Sequence, residues 1–320
     1  MTDDSKNPLV TVICSTYNSK ATLRCALRSV LNQDLADLEV RVMGDACTDG
    51  TEEVVGELND ARLHWFNFLQ NTGSQSEPNN EGLRSARGRY VAFIGHDDLW
   101  FPWHLSRLVQ RLEQTGADLS HDLVASVGPT GMEGVYGPPH PRSGYRRVYF
   151  PTSSWLHRRE LAEQVGFWRK PDELSWAIDY DFTRRAAEQG KKISFLRSLG
   201  VLKFHSLVWK FYARAGEPPQ VRWLESILSS PAQLNEQVLA ELAALCAPQF
   251  QDQDKKPLGL AWDETKTAAK GAGKALVREM IHWYGHDRWP VGPLLRRRMR
   301  RLRSRQRVIR GLPSLKDRNL

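Results

Sequence analysis

The sequence predicts an α/β protein with a mixed, mainly parallel sheet, flanked by helices and followed by a helical C-terminal extension. Apolar runs of strand length alternate with stretches of helical periodicity through residues 9–94. Polar clusters follow three of these runs. In α/β sheets, ligands bind beside the carboxyl ends of the strands, where such clusters lie. Beyond residue 217 the pattern is helical only. These features are typical of a ligand-binding α/β domain with a helical appendage.

The first strand, helix and strand are the clearest part of the pattern. Residues 9–14 form an apolar, β-branched run that ends in a polar turn, as expected of a buried strand. Leu23, Leu27 and Val30 then recur at helical spacing. Residues 38–43 alternate apolar side chains and predict the next strand. This order predicts a right-handed parallel crossover.

The same alternation continues to residue 94. It predicts a helix at 51–58, a strand at 63–68, a polar loop at 71–80, a helix at 80–86 and a strand at 90–94. The polar clusters that follow predicted strands are Thr16-Tyr17-Asn18, residues 45–49 and His96-Asp97-Asp98. Because the carboxyl ends of parallel strands meet at one edge of a sheet, we expect these clusters to converge on one crevice.

Two changes in composition divide the rest of the chain. Residues 127–144 are dense in Gly and Pro and predict a long irregular loop beside the crevice. After the sequence Glu-Pro-Pro at 217–219, helical patterns remain at 223–228, 234–245 and 265–284. We therefore predict two domains, an α/β domain at residues 1–216 and a helical region at 217–320 that ends in an arginine-rich tail.

The positive charge of the chain lies in that tail. The formal net charge is +8, and nine arginines with no acid lie between Arg296 and Arg310, which leaves −1 for the rest of the chain. Leu295, Met299 and Leu302 recur at near-helical spacing and predict a basic amphipathic helix on an anionic membrane surface. A solvated tail and a nucleic-acid-binding tail are the alternatives.

The N-terminus and the cysteines predict a cytoplasmic protein, peripheral to the inner face of the membrane if the tail binds lipid. Residues 1–7 are polar and lack the apolar core of a secretory signal. Apolar runs stop after about six residues, so no transmembrane helix is expected. The four cysteines, Cys14, Cys25, Cys47 and Cys246, show neither metal-site nor disulfide spacing, which predicts free thiols.

Two adjacent carboxylates, Asp97 and Asp98, follow the strand at 90–94. Neighbouring carboxylates repel each other unless a cation lies between them. Hard oxygen ligands at a strand end suit Mg²⁺ or Mn²⁺ that bridges to a diphosphate. From these residues alone, a solvated turn in which an aspartate caps the next helix is the alternative.

Several motifs occur together and in order between residues 8 and 210. They are VTVICSTYNS (10–19), SVLNQ (29–33), GDACTDGT (44–51), NNEGLRSARGRYVAFIGHDDLW (79–100), SSWLHRREL (153–161), AIDYDFTRRAAEQG (177–190) and KFHS (203–206). In this order they resemble the family 2 glycosyltransferases. The resemblance implies a GT-A fold and an inverting enzyme that moves a sugar from a nucleotide diphosphate sugar, expected to be a UDP-sugar, to an acceptor hydroxyl with Mg²⁺ or Mn²⁺.

The resemblance also assigns a donor site within residues 1–216. Asp45 matches the acid that contacts the nucleobase. The first turn approaches the donor nucleotide, and the motif that leads into the metal signature supplies a further contact. The donor-binding residues implied are Thr16, Tyr17, Asn18, Asp45 and Asn80.

The metal site is implied by the same resemblance. Asp97 matches the last acid of the family's D-x-D signature, and Asp98 lies beside it. His205 matches a position where related enzymes place a further metal or phosphate contact. The sequence departs from the family pattern twice, because Gly95 replaces the first Asp of the signature and Gly44 replaces an acid commonly paired with the base-contacting one.

Asp179 and Asp181 begin a predicted helix. An inverting transfer requires a carboxylate to take the acceptor proton as the acceptor oxygen attacks the anomeric carbon. The resemblance places Asp179 in this catalytic role. The alternative is favourable acidic charge at a helix N-terminus with no function.

The expected partners are the nucleotide-sugar donor and a glycan or lipid-linked acceptor, in cell-surface polysaccharide or glycolipid synthesis. A nucleic-acid-binding protein is the alternative from another class, but a body charge of −1 disfavours it, and no specific nucleic acid is expected. Another nucleotide-binding α/β transferase is the second alternative. The first strand is followed by STYNS (15–19) rather than by a G-x-G-x-x-G or Walker loop, which disfavours that alternative.

Overall fold

The computed structural model describes residues 7–139, 144–145, 148–209, 211 and 216–251. The chain divides into two units, Met1–Leu242 and Ala243–Leu320. The elements are β1 (Val10–Thr16), α1 (Lys20–Leu31), β2 (Leu38–Gly44), α2 (Thr51–Glu57), β3 (Leu63–Asn67), α3 (Ser76–Ser85), β4 (Tyr90–Phe93), β5 (Leu99–Trp100), α4 (His104–Thr115), β6 (Leu119–Gly128), β7 (Gly131–Tyr136), β8 (Trp155–Arg158), α5 (Leu161–Val165), α6 (Ile178–Glu188), β9 (Ile193–Phe204), α7 (Ser206–Trp209), α8 (Gln220–Ser229) and α9 (Pro231–Gln251). In the second unit, the described residues belong to α9.

A nine-stranded mixed sheet organises the described part of the first unit, in the order β3-β2-β1-β4-β8-β6-β9-β5 with β7 paired to β6. β3, β2, β1 and β4 are parallel neighbours. β8 lies antiparallel between β4 and β6, and β9 is parallel to β6. β1, β2, β3, β4, β6 and β9 therefore run in one direction, and their carboxyl ends share one edge. The predicted α/β fold with a mainly parallel sheet is confirmed.

The first strand and helix pack as their patterns predict. Val10 and Val12 of β1 are fully buried, and Leu23, Leu27 and Val30 of α1 lie in the same core cluster. Burial of each of these side chains contributes about 1.5–3 kcal/mol. β1 pairs in parallel with β2, so the predicted parallel crossover is present, and its right-handedness stays a prediction.

Two elements differ from the prediction. α3 begins at Ser76, inside the predicted polar loop, because Pro78 lies in the first helical turn, where no intrahelical N–H bond is lost. β6 and β7 form a hairpin where an irregular loop was predicted. Gly131 has φ +132°, in the region that favours glycine, so at this point the glycine marks a turn between strands.

Within the first unit, helix α8 and the first part of α9 pack through an apolar cluster with β5, β6 and β9. Trp223, Leu224 and Ile227 of α8 and Leu234 and Val238 of α9 are buried there. The helices predicted at 223–228 and 234–245 are confirmed, whereas 265–284 lies outside the described residues. The domain boundary after residue 216 stays a prediction. Across the described ranges, no helix has the length and apolar character needed to cross a membrane.

Candidate active site

The turns that follow β1, β2 and β4 contact one another at the shared carboxyl edge of the sheet. The N–H of Asp45 donates to the carbonyl of Thr16 at 2.8 Å, which joins the second turn to the first. Nδ1 of His96 lies 3.4 Å from the carbonyl oxygen of Ser15, which joins the turn after β4 to the end of β1. The three polar clusters therefore line one crevice.

Asp98 is fully buried and bound on both carboxylate oxygens by protein groups. Nζ of Lys203 donates to Oδ2 at 3.0 Å, and Oγ of Ser153 donates to the same oxygen at 2.5 Å. The N–H of Phe204 donates to Oδ1 at 3.1 Å. Burial raises the pKa of Asp98, and the charge of Lys203 opposes that rise. One of the two predicted metal-binding aspartates is thus held in a buried ion pair.

Asp97 is held through its backbone instead. Its carbonyl accepts a hydrogen bond of 2.9 Å from Nε2 of Gln220, a fully buried residue of α8. Its side chain is buried, and no hydrogen bond or ion pair from the described residues reaches its carboxylate. The oxygens of a carboxylate that accepts no hydrogen bond are available to a hard cation such as Mg²⁺ or Mn²⁺. Asp97 therefore fits the role of a metal ligand.

Gly95 is packed against both of these carboxylates. Its N–H donates to Oγ of Ser153 at 3.0 Å. A Cβ at this position would lie 3.0 Å from Oδ1 of Asp97 and 3.0 Å from Oδ2 of Asp98. An aspartate here would crowd both side chains and add a third like charge. The packing in this structure therefore favours glycine at the first position of the signature.

The second departure, at Gly44, is also steric. A Cβ on Gly44 would lie 2.5 Å from Cη2 of Trp65 and 2.6 Å from Oδ1 of Asn67. The Asn67 amide is itself engaged, because Oδ1 accepts from the N–H of Cys47 at 2.9 Å and Nδ2 donates to the Cys47 carbonyl at 3.1 Å. An acid at position 44 would displace the indole of Trp65.

Asp179 lies in the first turn of α6, and its side chain is buried. Oη of Tyr149 donates to Oδ2 at 2.9 Å, and Oγ1 of Thr152 donates to the same oxygen at 3.3 Å. The N–H of Tyr180 donates to Oδ1 at 2.9 Å. Burial raises the pKa of Asp179, while these bonds from Tyr149 and Tyr180 and the charge of Lys203 lower it in part. A carboxylate with a raised pKa is suited to accept a proton.

Lys203 lies within electrostatic range of all three carboxylates. Burial alone would lower its pKa, but Asp98, Asp97 and Asp179 together raise it above its ordinary value. Sequence reasoning missed this lysine, because the KFHS motif drew attention to His205. The one available signal for Lys203 was a lysine at the end of an apolar strand. Ser153 lies in the SSWLHRREL motif but was given no role, and Tyr149 was missed because no motif includes it.

Asp181 faces a different set of partners. Nε of Arg185 donates to its Oδ2 at 2.8 Å, and Nε1 of Trp176 donates to its Oδ1 at 3.2 Å. Arg185 also donates to the carbonyls of Gly166 and Phe167 at 2.6 and 2.9 Å. Asp181 thus belongs to a buried structural network that anchors the segment after α5.

Asp45 orders the loop that follows β3. Oδ1 accepts from the N–H of Thr72 at 2.7 Å, and Oδ2 accepts from the N–H of Gly73 at 3.3 Å. The Asp45 carbonyl accepts from Nδ2 of Asn71 at 2.8 Å. Burial raises the pKa of Asp45. The residue thus shapes this end of the crevice, and its contact with a nucleobase stays a prediction.

The turn after β1 is fixed by its asparagine. Asn18 has φ +43°, and its Oδ1 accepts from the N–H of Thr48 at 2.8 Å. The Tyr17 carbonyl accepts from Oγ of Ser19 at 2.8 Å. The hydroxyl of Thr16 is buried and has no hydrogen-bond partner among the described residues.

Both the nitrogen and the oxygen of the Asn80 side-chain amide bind the backbone of Trp168. Nδ2 donates to the carbonyl of Trp168 at 2.9 Å, and Oδ1 accepts from the N–H of Trp168 at 2.8 Å. The pair of bonds joins α3 to the segment after α5. Asn80 therefore supports the crevice wall through Trp168, and a direct donor contact stays a prediction.

His205 follows β9 directly, two residues after Lys203. Its Nε2 lies 3.3 Å from Oη of Tyr136, whose ring centroid is 6.1 Å from that of Tyr149. Within the described ranges, no group of three or more His, Cys, Asp or Glu side chains could hold a metal. Mg²⁺ is commonly held by one or two carboxylates together with substrate phosphates and water. Asp97 is compatible with that mode of binding.

Two predictions concern residues without described side chains. The arginine tail between Arg296 and Arg310 lies outside the described residues, as does the side chain of Cys246. Cys14, Cys25 and Cys47 are free thiols, as predicted.

Curated relatives match part of the chain. The succinoglycan biosynthesis protein ExoO of Rhizobium meliloti is 33% identical over 126 residues, covering 39% of this chain and 36% of ExoO. The GalNAc(5)-diNAcBac-PP-undecaprenol beta-1,3-glucosyltransferase of Campylobacter jejuni is 37% identical over 112 residues, covering 33% of this chain and 35% of that enzyme. The chain spans about half or less of the length of these and other relatives.

Solved structures share the fold. S. aureus TarS 1–349 in complex with UDP-GlcNAc has a TM-score of 0.54 and 21% identity, covering 77% of this chain and 76% of that one. The mannosyltransferase PcManGT of Pyrobaculum calidifontis, in complex with GDP-Man and Mn²⁺, has a TM-score of 0.51 and 21% identity, covering 88% and 84%. These matches confirm the predicted GT-A fold. The sequence model described as Glycosyl transferase family 2 matches residues 11–172, half of the chain, and the chain belongs to that family.

Proposed function

We propose that this chain transfers a sugar from a nucleotide diphosphate sugar to an acceptor hydroxyl, with inversion at the anomeric carbon. The observation that carries the proposal is the placement of Asp97 and Asp179 around Lys203. An inverting displacement needs one site for the departing diphosphate and another for the acceptor proton. A carboxylate free for a cation and a carboxylate of raised pKa supply these two functions.

Asp97 is assigned to the divalent cation. Mg²⁺ or Mn²⁺, when bound, would neutralise charge on the departing diphosphate. Asp98 is assigned a positioning role, because Lys203, Ser153 and the Phe204 N–H already bind its oxygens. His205 lies at the end of the same strand as Lys203 and is the candidate for a further metal or phosphate contact.

Asp179 is assigned as the general base. Tyr149 and Thr152 donate to Oδ2 and fix the orientation of the carboxylate. Burial and the nearby Asp179 charge raise the pKa of Tyr149 well above its ordinary value, so its hydroxyl stays a hydrogen-bond donor at neutral pH. A fixed carboxylate loses less orientational freedom when the acceptor hydroxyl approaches.

The donor is proposed to be a UDP-sugar. The bound UDP-GlcNAc of TarS supports this choice, while the GDP-Man of PcManGT makes GDP-sugars the comparison to test. The first turn and the Asp45 loop are proposed to hold the nucleotide.

The acceptor is proposed to be a glycan or lipid-linked sugar in cell-surface polysaccharide or glycolipid synthesis. The names of the succinoglycan protein and of the undecaprenol-linked transferase support this class. The arginine tail is proposed to hold a cytoplasmic enzyme at an anionic membrane surface. Deletion of residues 296–320 is expected to lower retention on anionic vesicles at low salt, and unchanged retention would refute the membrane role.

Donor binding and product analysis with the full chain test the proposed reaction. Thermal unfolding is followed with UDP-Glc, UDP-GlcNAc and GDP-Man, each with Mn²⁺ or with chelator. We expect one UDP-sugar to raise the melting temperature more with Mn²⁺. That donor, labelled in its sugar, is then incubated with an undecaprenyl diphosphate-linked sugar, and NMR reads the anomeric configuration of the product. A retained configuration, or a chain that no nucleotide sugar stabilises, would overturn the proposal.

A further inference from the structure

A second polar pocket lies away from the crevice, between α4 and the first half of β9. Its volume is about 330 Å³. The side chains that line it are Arg107, Gln110, Arg111, Gln114, Leu196, Arg197 and Ser198. Three arginines and two glutamines therefore line one small volume, and no acidic residue lines it.

The helical residues of this pocket occupy one face of α4. Arg107, Gln110, Arg111 and Gln114 are spaced three, four and seven residues apart, which places them in neighbouring turns on the same side. The opposite face of α4 is packed into the core through Leu108 and its apolar neighbours. The packing of the apolar face of α4 therefore fixes the position of its basic face.

Neutral groups hold two of the three arginines in position. Nη1 of Arg107 donates to Oγ of Ser198 at 2.8 Å, and Nε of Arg111 donates to Oγ of Ser194 at 2.8 Å. The guanidinium of Arg107 also lies over the Trp103 ring, 4.7 Å from its centroid. A hydroxyl or an aromatic face orients a guanidinium without cancelling its charge.

The positive charge of the pocket is not neutralised within the described part of the chain. Arg107, Arg111 and Arg197 make no ion pair there. The one acid of α4, Glu113, binds Arg89 and Arg158 at 3.4 and 3.2 Å. Burial raises the pKa of Asp122, and the charge of Arg107 lowers it in part. Asp122 is buried, however, and its Oδ2 lies 2.8 Å from Nδ1 of His104 on α4.

Charge, shape and preorganisation together point to one ligand chemistry. Guanidinium groups bind phosphate oxygens through paired N–H donors, and arginine is favoured wherever a planar fork meets phosphate. Gln110 and Gln114 also line the pocket, and an amide side chain is a neutral hydrogen-bond donor. We propose that this pocket binds a phosphate group, as a second anion site separate from the donor crevice.

The site is separate from the donor crevice because of its position on β9. Arg197 and Ser198 lie in the first half of the strand, whereas Lys203 lies at its carboxyl end beside Asp98. The proposal therefore does not depend on the assigned reaction. Loss of phosphate binding here and loss of sugar transfer are expected to occur independently.

The test is a calorimetric titration of the full chain with inorganic phosphate, in buffer kept at constant ionic strength with chloride. We expect saturable binding that weakens by at least about tenfold in Arg107→Gln/Arg111→Gln/Arg197→Gln, because charge-assisted hydrogen bonds are lost. Melting temperature without phosphate and binding of donor nucleotide should match those of the parent. Equal phosphate affinity in the parent and the triple variant would overturn the proposal.

Two further variants keep the result interpretable. Arg197 is exposed and makes no hydrogen bond to the described residues, so Arg197→Gln should weaken binding without affecting folding. Arg222→Gln is the matched control, because Arg222 is exposed like Arg197 but does not line the pocket. If Arg222→Gln weakens phosphate binding as much as Arg197→Gln does, the effect is general surface charge and the pocket is refuted.

Vesicles distinguish the source of the phosphate. Retention is compared on phosphatidylcholine vesicles with and without phosphatidic acid, for the parent and the triple variant, both with the arginine tail. A loss of retention in the triple variant that inorganic phosphate reproduces in the parent assigns the pocket to a lipid headgroup. Unchanged retention together with weakened phosphate binding assigns it to a soluble phosphate.

Discussion

Nζ of Lys203 lies 3.0 Å from Oδ2 of Asp98, and this buried contact joins the end of β9 to the turn after β4. Asp98 is fully buried, and its carboxylate also receives the Ser153 hydroxyl and the Phe204 N–H. The attraction between the two charges and these additional hydrogen bonds offset part of the free energy that is lost when both groups leave water. The pair leaves Asp97 as the neighbouring carboxylate without a hydrogen-bonding partner among the described residues.

Removing the cation of this pair is expected to destabilise the fold. Lys203→Met leaves the Asp98 carboxylate buried without its counter-charge, which should lower the free energy of unfolding by about 3–5 kcal/mol. Urea denaturation measures the change. Lys203→Met/Asp98→Asn should be more stable than the sum of the two single changes predicts, because the neutral amide no longer needs a cation. Strict additivity would mean that the pair is not coupled.

Asp97 is expected to control metal-dependent donor binding. Asp97→Asn keeps the side-chain size and the Gln220 contact to the backbone carbonyl but removes the charge that attracts a cation. Titration of the donor nucleotide should show that Mn²⁺ strengthens binding to the parent but not to the variant. A Mn²⁺ effect of the same size in both proteins would place the metal elsewhere.

The backbone of this site could be predicted from the sequence because it follows from strand order. The run at 9–14 is nearly continuous in apolar and β-branched residues, and the run at 38–43 alternates apolar with charged side chains. Both patterns predict strands of a sheet whose carboxyl edge collects the next polar residues. Asp45 and Asp97 were placed at that edge for this reason. The hairpin at β6 and β7 was missed, because its glycines are as typical of irregular loops as of tight turns.

The partners of each carboxylate could not be predicted. Asp97 and Asp98 are equivalent in sequence, and what separates them is Lys203, more than a hundred residues away. Asp181 is the exception, because its partner Arg185 follows four residues later in the same helix, whereas Asp179 is bound by Tyr149 from another segment of the chain. Long-range pairing depends on the folded geometry, which no local pattern encodes.

Asp179 and Asp181 are expected to show separable defects. Asp179→Asn cannot accept the acceptor proton, so turnover should fall by about 10²-fold or more while donor affinity stays near that of the parent. Initial rates and donor titration measure the two quantities. Asp181→Asn weakens the contact with Arg185, so its main effect should be a lower melting temperature. Near-parent turnover in Asp179→Asn would place the base elsewhere.

The last prediction concerns acid stability and the buried ring of His121. This ring stacks on Phe150 with 4.1 Å between centroids, and burial lowers the pKa of His121 to about 3. The folded protein therefore keeps the ring neutral, while the unfolded chain takes up a proton below about pH 6.5. Stability from this group is present above that pH and is lost as the pH falls towards 3.

His121→Phe keeps the stacked ring and removes the titration. The variant should gain stability relative to the parent by about 1.4 kcal/mol for each pH unit below 6, with little difference at pH 7.5. Denaturant unfolding between pH 4 and pH 7.5 measures it. Asp122→Asn is the control of opposite sign, because burial raises the pKa of Asp122 to about 6, so its stabilising contribution is lost as the pH rises through that value. A constant difference between His121→Phe and the parent at every pH would show that His121 does not titrate on unfolding.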